Sequence, residues 1–398
     1  MRLMAFYLPQ FHRIPENDSW WGTGFTEWVN VARARPLFGE HDHPRIPADL
    51  GEYDLTEPTV YRAQSALARQ YGIDAFCMYF YWFDGDRLLE KPTDAWRRDP
   101  DLLPYCLAWA NEPWTRRWNG RNRDVLMPQT YPQNYAERLF GELMPHFEAP
   151  HYVRVESKPV LLVHRADLIP DAANFCTVLR RLAVSMGLPG LYLVAAETKP
   201  EIDPTKLGFD AVAEFPPVGV NRLRNAVRSP VPGLVSNFRG RLLSYDRVAR
   251  HYMTRRRPSF IRHRGVMPSW DNTARRGTKA TVYVGHTPEA YRLWLSWACG
   301  QEIEDRGDRG LVFVNAWNEW AEGAYLEPDR THGRAYLEAT ANARRESLVR
   351  KIPPPAPVLA PSGRWSVGHV WSLGLLTVGS LLARVRSLRN RRSRWMRE

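Results

Sequence analysis

The chain has 398 residues, 44% of them hydrophobic, which is ordinary for a globular protein and long enough for two average domains or for one α/β barrel with a tail. Four widely spaced cysteines, Cys77, Cys106, Cys176 and Cys299, form no C-x-x-C and no dense framework, which excludes a disulfide scaffold and points to a reducing compartment. The net charge is +12, but residues 364–398 hold eight Arg and one Glu; +7 of it belongs to the tail, and a nucleic-acid partner for the whole protein loses most of its support.

The N-terminus, MRLMAFYLPQF, has no long apolar core and no small-residue cleavage site, so a cytoplasmic protein starting at Met1 is expected. Eight short apolar runs then read as strands: residues 3–8, 75–81, 105–109, 160–164, 191–195, 211–213, 265–268 and 311–315. Helix-like segments separate most of them, at 59–70 before the second, 134–147 before the fourth and 172–186 before the fifth. Strand alternating with helix implies a parallel sheet, and eight strands close most naturally into a (β/α)8 TIM barrel, the α/β fold expected here.

Such a barrel carries its chemistry at the C-terminal ends of its strands. After the first run come Tyr7, His12, Trp20, Trp21 and Glu27; after the second Trp82; after the third Asn111, Glu112 and Trp114; after the fourth His164; after the seventh Trp270 and Asp271. Acids, amides and aromatics recur at nearly every one of these ends, and 16 Trp, 17 Tyr and 15 Phe in the whole chain suit a carbohydrate cleft. Taken singly, the histidines are equally well core residues and the indoles equally well rim packing. Asp84-Gly85-Asp86 has the D-x-D form that holds a metal–nucleotide in many glycosyltransferases, although chance supplies three-residue acidic patterns easily. No zinc spacing, G-x-G-x-x-G or P-loop is present, so neither a metal nor a cofactor is expected.

Between the sixth and seventh runs, residues 215–264 carry twelve Arg against one acid, Asp246. This basic insertion after strand 6 lies over the catalytic face if the barrel is right. It reads either as a clamp for an anionic substrate group, such as phosphate on a lipid-linked glycan, or as a mobile basic loop.

The stretch LVFVNAWNEWAEGAYLEP follows a charged turn and begins with an unbroken apolar strand at Leu311. Two carboxylates, Glu319 and Glu322, come directly after it among Trp317, Asn318 and Trp320. Sugar rings pack on indoles while their hydroxyls need carboxylate and amide partners, so this is the expected catalytic centre. Beyond it, residues 351–364 form a proline-rich linker that ends a catalytic domain at 1–350. Residues 365–398 read as an amphipathic tail with a basic end, expected to lie on an anionic bilayer face rather than to span it.

The segments AFYLPQFHRIPENDSWWGTGFTEW, YFYWFDGDRLLEKP, LAWANEPWTRRWNG, KPVLLVHR, MPSWDNTARR and NAWNEWAEGAYLEP, in this order over residues 1–347, resemble the WbsX-like group, related to glycoside hydrolase family 99. The resemblance implies a (β/α)8 barrel acting on glycans, in a group often found with O-antigen or capsule biosynthesis and commonly labelled glycosyltransferases. Family 99 enzymes are retaining endo-α-mannosidases with an E-W-x-E-G motif, which here is Glu319-Trp320-Ala321-Glu322-Gly323. By that likeness Glu319 is the base on the sugar 2-hydroxyl, giving a 1,2-anhydro intermediate, and Glu322 is the acid and then the base. Tyr7, His12, Trp21, Glu27, Trp82, Asn111, Glu112, Trp114, His164, Trp270, Asp271, Trp317, Asn318 and Trp320 are expected to line the cleft from position and chemistry alone. The alternatives are a glycosyltransferase of lipopolysaccharide or O-antigen assembly and a non-catalytic glycan-binding protein. The expected partners are a glycan, lipid-linked or anionic, and an anionic membrane surface met by the tail.

Overall fold

In the computed structural model, which describes residues 1–116, 121–200, 202–349 and 372–377, all eight apolar runs are parallel strands. These are β1 (Arg2–Tyr7), β2 (Ala75–Phe83), β3 (Tyr105–Trp109), β4 (Lys158–Val163), β5 (Tyr192–Ala196), β6 (Ala211–Ala213), β7 (Arg262–Val266) and β8 (Leu311–Val314). Each pairs with the next, and β1 pairs with both β2 (Met4 beside Ala75) and β8 (Arg2 beside Leu311), so the sheet closes into the expected (β/α)8 barrel. Closure leaves every strand covered on two sides, which is why β8 reads Leu-Val-Phe-Val with no polar alternation.

The helices are α1 (Pro15–Trp21), α2 (Glu27–Arg33), α3 (Pro58–Gln70), α4 (Glu90–Arg98), α5 (Tyr135–Phe147), α6 (Ala172–Ser185), α7 (Tyr245–Met253), α8 (Thr273–Arg276), α9 (Pro288–Arg306) and α10 (Ala335–Ser347). Local chemistry sets their starts: the Asp171 side chain accepts from Asn174 N before α6, and Thr287 accepts from Ala290 N before the Pro288 that opens α9. Inside the barrel, Phe6 packs against Tyr79 (5.8 Å), Phe313 (5.6 Å) and Phe215 (4.9 Å). Tyr7, one residue on, points outward to Phe76 and Trp96.

Most strand ends fall within two residues of expectation, and the largest difference is at the start of β7. β7 begins at Arg262, not at 265, because Arg262, His263 and Arg264 are buried despite their charge. His263 Nδ1 lies 2.6 Å from Glu302 Oε1, and the Arg264 guanidinium stacks over Trp297 at 5.2 Å. Charge that is paired across elements is invisible to a hydropathy pattern.

The basic insertion between β6 and β7 is built structure: strand Arg241–Ser244 pairs in parallel with Thr281–Val284 and leads into α7. Arg255, after α7, donates to both oxygens of Glu197 at 2.6 Å and to Glu214 at 3.2 Å. These acids stand at the ends of β5 and β6, so part of the insertion's charge pins it to the barrel. That part is neither a clamp nor a loose loop. Burial pushes the Glu214 carboxyl up to about 7, with Arg264 and Arg255 pulling it back.

The expected linker, 351–364, and most of the tail lie outside the described residues. The described piece, 372–377, is helical and docks on protein: Ser372 Oγ accepts from Leu242 N at 2.9 Å, and Leu376 is buried in the core. Among the described residues no helix is long and apolar enough to cross a membrane.

Replacing Arg255 by Leu takes from the buried Glu197 and Glu214 their closest cation and leaves Arg262 and Arg264 at 3.7 and 3.6 Å. We expect a loss of ~3–5 kcal/mol in urea unfolding, and a cost below ~1 kcal/mol would show the pin to be dispensable.

Candidate active site

Glu319 ends the two-residue strand Asn318–Glu319, which pairs with Ala324–Tyr325, and the 3-10 turn Trp320–Glu322 between them carries the second acid. Gly323 closes the turn in the left-handed region, φ 57°, and a Cβ there would meet Asp271 O at 2.9 Å. The turn is clamped from below. Asp271 N donates to Glu322 O at 2.7 Å, and Asn318 brackets Leu8, taking its N–H at 2.7 Å and giving to its carbonyl at 3.0 Å.

Arg275, from α8, enters between the acids. Its Nη1 donates to Glu322 Oε1 at 2.6 Å, while Nη2 donates to Glu27 Oε2 at 3.0 Å and to Glu319 Oε2 at 3.3 Å. Burial works against the guanidinium's charge, but the three carboxylates outweigh it and hold Arg275 above its ordinary range. Three carboxylates around one cation in a buried site cannot all stay ionised near neutrality. Burial pushes the Glu319 carboxyl up to about 8 and raises Glu322 as well, with Arg275 opposing in both. Glu322 has the shorter bond to Arg275, so in the unliganded site the anion belongs on Glu322 and the proton on Glu319.

Facing the pair from β2 are Tyr79 and Tyr81. Burial first, and the charge of Glu319 next, raise both phenols, and Tyr81 OH accepts from Gln10 Nε2 at 2.8 Å. Tyr81 packs edge-on against Trp114 (5.1 Å), which meets Trp20 at 5.7 Å. Tyr79 meets His164 at 6.4 Å, and His164 Nε2 stands 3.7 Å from Glu112, whose other oxygen is held by Arg165. The aromatic contacts join the carboxylate pair to a second polar group, Glu112, His164 and Arg165, at the ends of β3 and β4. Trp21 stands at the rim with the Arg116 guanidinium 5.5 Å over its ring.

The structure brings together Glu27, Glu319 and Glu322, and beside them Glu112, Trp114 and His164. The other nominated residues take different positions. Tyr7 and Trp82 have the wrong strand parity: Tyr7 OH donates to Gln64 at 2.7 Å, and Trp82 packs on Trp109 behind the wall. Trp317 is buried on Phe76, and Trp320 stacks on Tyr325 at 3.9 Å with its N–H given to Glu327 at 2.7 Å. Asn318 and Asn111 spend their amides on backbone, the latter bridging to Arg165 N (2.7 Å) and O (2.9 Å). Trp270 packs against the core, its carbonyl taken by Tyr283 N. His12 is buried beside the Pro9 backbone, and its charged neighbours are Asp54, Lys91 and Glu90, away from the pair. Asp84 sits in the hairpin turn from β2 to Asp86–Leu88 and is held by Arg138 at 2.6 Å. The sequence reading missed Arg275, Tyr79 and Tyr81. Arg275 lay within the MPSWDNTARR segment, and the alternation of β2 puts Tyr79 and Tyr81, not Trp82, on the inner face.

Among the described residues, His41, His43 and Asp271 are close enough to hold a metal ion. The donor chemistry favours hydrogen bonds instead. His41 Nδ1 accepts from Leu37 N at 3.0 Å, so its Nε2 carries the proton given to Asp271 Oδ2 at 2.5 Å; His43 Nε2 reaches the same oxygen at 2.7 Å. Arg45 stands 3.6 Å from Asp271, a further cation where a metal would have to sit. Asp271 is thus a buried strut under Glu322, not a wall of the cleft.

A sequence model described as Glycosyltransferase WbsX matches residues 3–340. Two relatives, both described as uncharacterized protein WxcX and from two strains of Xanthomonas campestris pv. campestris, are 42% identical over 377 residues. The match takes in 94% of this chain and 53% of theirs, so the chain spans about half the length of the curated relatives it matches. Among solved structures, the GH99 endo-alpha-mannosidase from Bacteroides thetaiotaomicron in complex with bis-tris-propane superposes with a TM-score of 0.55 at 12% identity, covering 87% of this chain and 97% of that one. A glycoside hydrolase-like protein gives 0.55 at 13%, covering 86% and 93%. At such identity the likeness is one of fold.

The raised Glu319 carboxyl has a consequence for stability. Its folded value of about 8 exceeds the ordinary 4.5, so between these pH values the folded state holds a proton that the unfolded chain releases, and stability falls as pH rises through the window. We expect Glu319→Gln to flatten that fall in urea midpoints measured across the window; an unchanged slope would show that Glu319 is not the proton holder.

Proposed function

Because this chain belongs to the WbsX glycosyltransferase family, we propose that it is a carbohydrate-active enzyme that cleaves or transfers a mannose-like α-glycoside with retention, on a glycan of surface-polysaccharide type. The observation that carries this reading is the pair Glu319 and Glu322 sharing Arg275 at the end of β8. A glycosidic bond needs one carboxylate to take a proton and one acid to give one, and a buried pair that keeps a single proton near neutrality supplies both.

In an α-mannoside the 2-hydroxyl and the leaving oxygen are both axial and on opposite faces, so O2 is aligned to attack C1. One carboxylate takes the O2 proton as the O2–C1 bond forms and the glycosidic C–O bond breaks, and the other acid protonates the departing oxygen. Water or a sugar hydroxyl then attacks C1, giving its proton to the second carboxylate, while O2 regains its proton from the first and the three-membered ring opens. The anomeric configuration is inverted twice and so retained.

Likeness to family 99 would make Glu319 the base, yet the unliganded distances favour the proton on Glu319. The two agree if the bound sugar draws Arg275 from Glu322 to Glu319, exchanging the short contact for the long one and passing the proton to Glu322. Tyr79, Tyr81, Trp114, Glu112 and His164 line the direction in which further sugar units extend. A nucleotide-sugar transferase is the second reading, favoured by the family's description and by the insertion's charge.

The test is product analysis with a defined α-mannoside and, separately, with nucleotide sugars plus a lipid-linked acceptor. Glu319→Gln and Glu322→Gln should each lower turnover by ~10²–10⁴-fold on a natural glycoside. An aryl α-mannoside with a good leaving group needs no acid for cleavage, so it should restore intermediate formation in the acid's variant only. Full activity of both variants would end the assignment, and product only from nucleotide sugar would favour the second reading.

A further inference from the structure

Part of the insertion's charge is not used to pin it. Arg222, Arg224, Arg228 and Arg247 form no ion pair with any described residue, although the insertion as a whole makes several. They share one surface. Arg247, on α7, donates to Arg224 O at 3.2 Å, and Arg224 Nη2 donates to His251 Nδ1, one turn further along α7, at 2.7 Å. Val227 N donates to Leu242 O at 3.2 Å, holding residues 222–228 against the strand that leads into α7. The crowding shows in their acidities: burial and then Arg222 lower Arg224, burial and then Arg228 lower Arg247, and burial with Arg224, Arg255 and Arg222 pushes His251 down to about 4. The insertion's one acid, Asp246, is raised by burial, with the charge of Arg250 opposing, and forms no ion pair with these four arginines among the described residues.

Four crowded guanidiniums cost folding free energy unless an anion completes the surface. We propose that this face of the insertion is a docking surface for an anionic lipid bilayer, the guanidiniums meeting headgroup phosphates.

Two observations favour a bilayer over a soluble polyanion. Leu223, between Arg222 and Arg224, is 39% exposed, an apolar side chain set among cations as interfacial segments have it. The described piece of the tail is anchored at the same place, Ser372 on Leu242, and residues 378–398 beyond it carry seven Arg and one Glu. The face also adjoins the active end. Tyr245 OH, from α7, donates to Met267 O just past β7 at 2.6 Å, and Asn315 Nδ2, ahead of the catalytic turn, donates to Pro216 O at 2.7 Å. Docking there would hold the cleft beside a membrane-borne glycan, but the surface stands whether or not the proposed chemistry does.

The test is flotation of the full-length chain with vesicles of phosphatidylcholine alone or mixed with phosphatidylglycerol, at low and high salt. Binding is expected only to the anionic vesicles, and to weaken with salt. Arg222→Gln, Arg224→Gln, Arg228→Gln and Arg247→Gln combined, with the tail intact, should lower it more than ~10-fold, since each basic residue near such a surface contributes about 1 kcal/mol. Leu223→Ser alone should lower it several-fold, and cooperative thermal unfolding at a midpoint no lower than wild type will show that both variants fold. Wild-type binding by the fourfold variant would assign attachment to the tail alone and overturn the proposal. So would equal binding to neutral vesicles, or retention by a soluble polyuronate with no binding to either vesicle.

Discussion

One buried cation holds the candidate site together. Arg275 makes hydrogen bonds to Glu27, Glu319 and Glu322 from three different parts of the chain: the start of α2, the end of the strand after β8, and the 3-10 turn. Three acids at such depth repel one another and resist losing water, so without the guanidinium the loops bearing them have no reason to converge. The same arrangement, three carboxylates around one guanidinium, leaves the site two positive charges short of neutrality, and that deficit is what lets a carboxyl keep its proton near neutral pH. Organisation and reactivity therefore come from a single imbalance.

Around this ion cluster the fold spends polar groups freely to keep the turn that bears Glu319 and Glu322 in place. Asp271, gripped by His41 and His43, supports Glu322 through its backbone; Asn318 locks the turn to Leu8; Glu327 takes hydrogen bonds from Trp320, Tyr53 and Gln64 beneath it. Burial raises Glu327 to about 7, so this layer too holds charge only because donors surround it. Many of the residues whose types suggest sugar binding are thus occupied with holding the acids, and the groups that stand beside the pair are Tyr79, Tyr81, Trp114, His164 and Glu112. The insertion shows the same division on a larger scale. Arg255, Arg262 and Arg264 satisfy acids at the ends of β5 and β6, while Arg222, Arg224, Arg228 and Arg247 have no such partner among the described residues.

The nominated residues that the structure places elsewhere went astray in two ways. Tyr7 and Trp82 lie at the right height, at the ends of β1 and β2, but one residue out of phase with the inner face. A run apolar on both faces carries no alternation from which phase can be read, so position along the strand was legible and direction was not. Trp317 and Trp320 failed differently: an indole beside a catalytic acid is equally useful as a stacking wall and as packing beneath the acid, and only the neighbours Phe76, Tyr325 and Glu327 separate the two uses.

By itself the sequence determined the eight strands and their order, three of the helices between them, the basic segment after the sixth strand, and two glutamates close together after the eighth. These follow from local periodicity, turn residues and spacing, which act over a few residues and leave their mark in the chain. The tertiary structure alone decided which strand face looks inward, that Arg275 sits among the acids 44 and 47 residues ahead of it and Glu27 far behind, and which arginines go unpaired. Ion pairs of this kind are set by distance through space, and no local pattern records them.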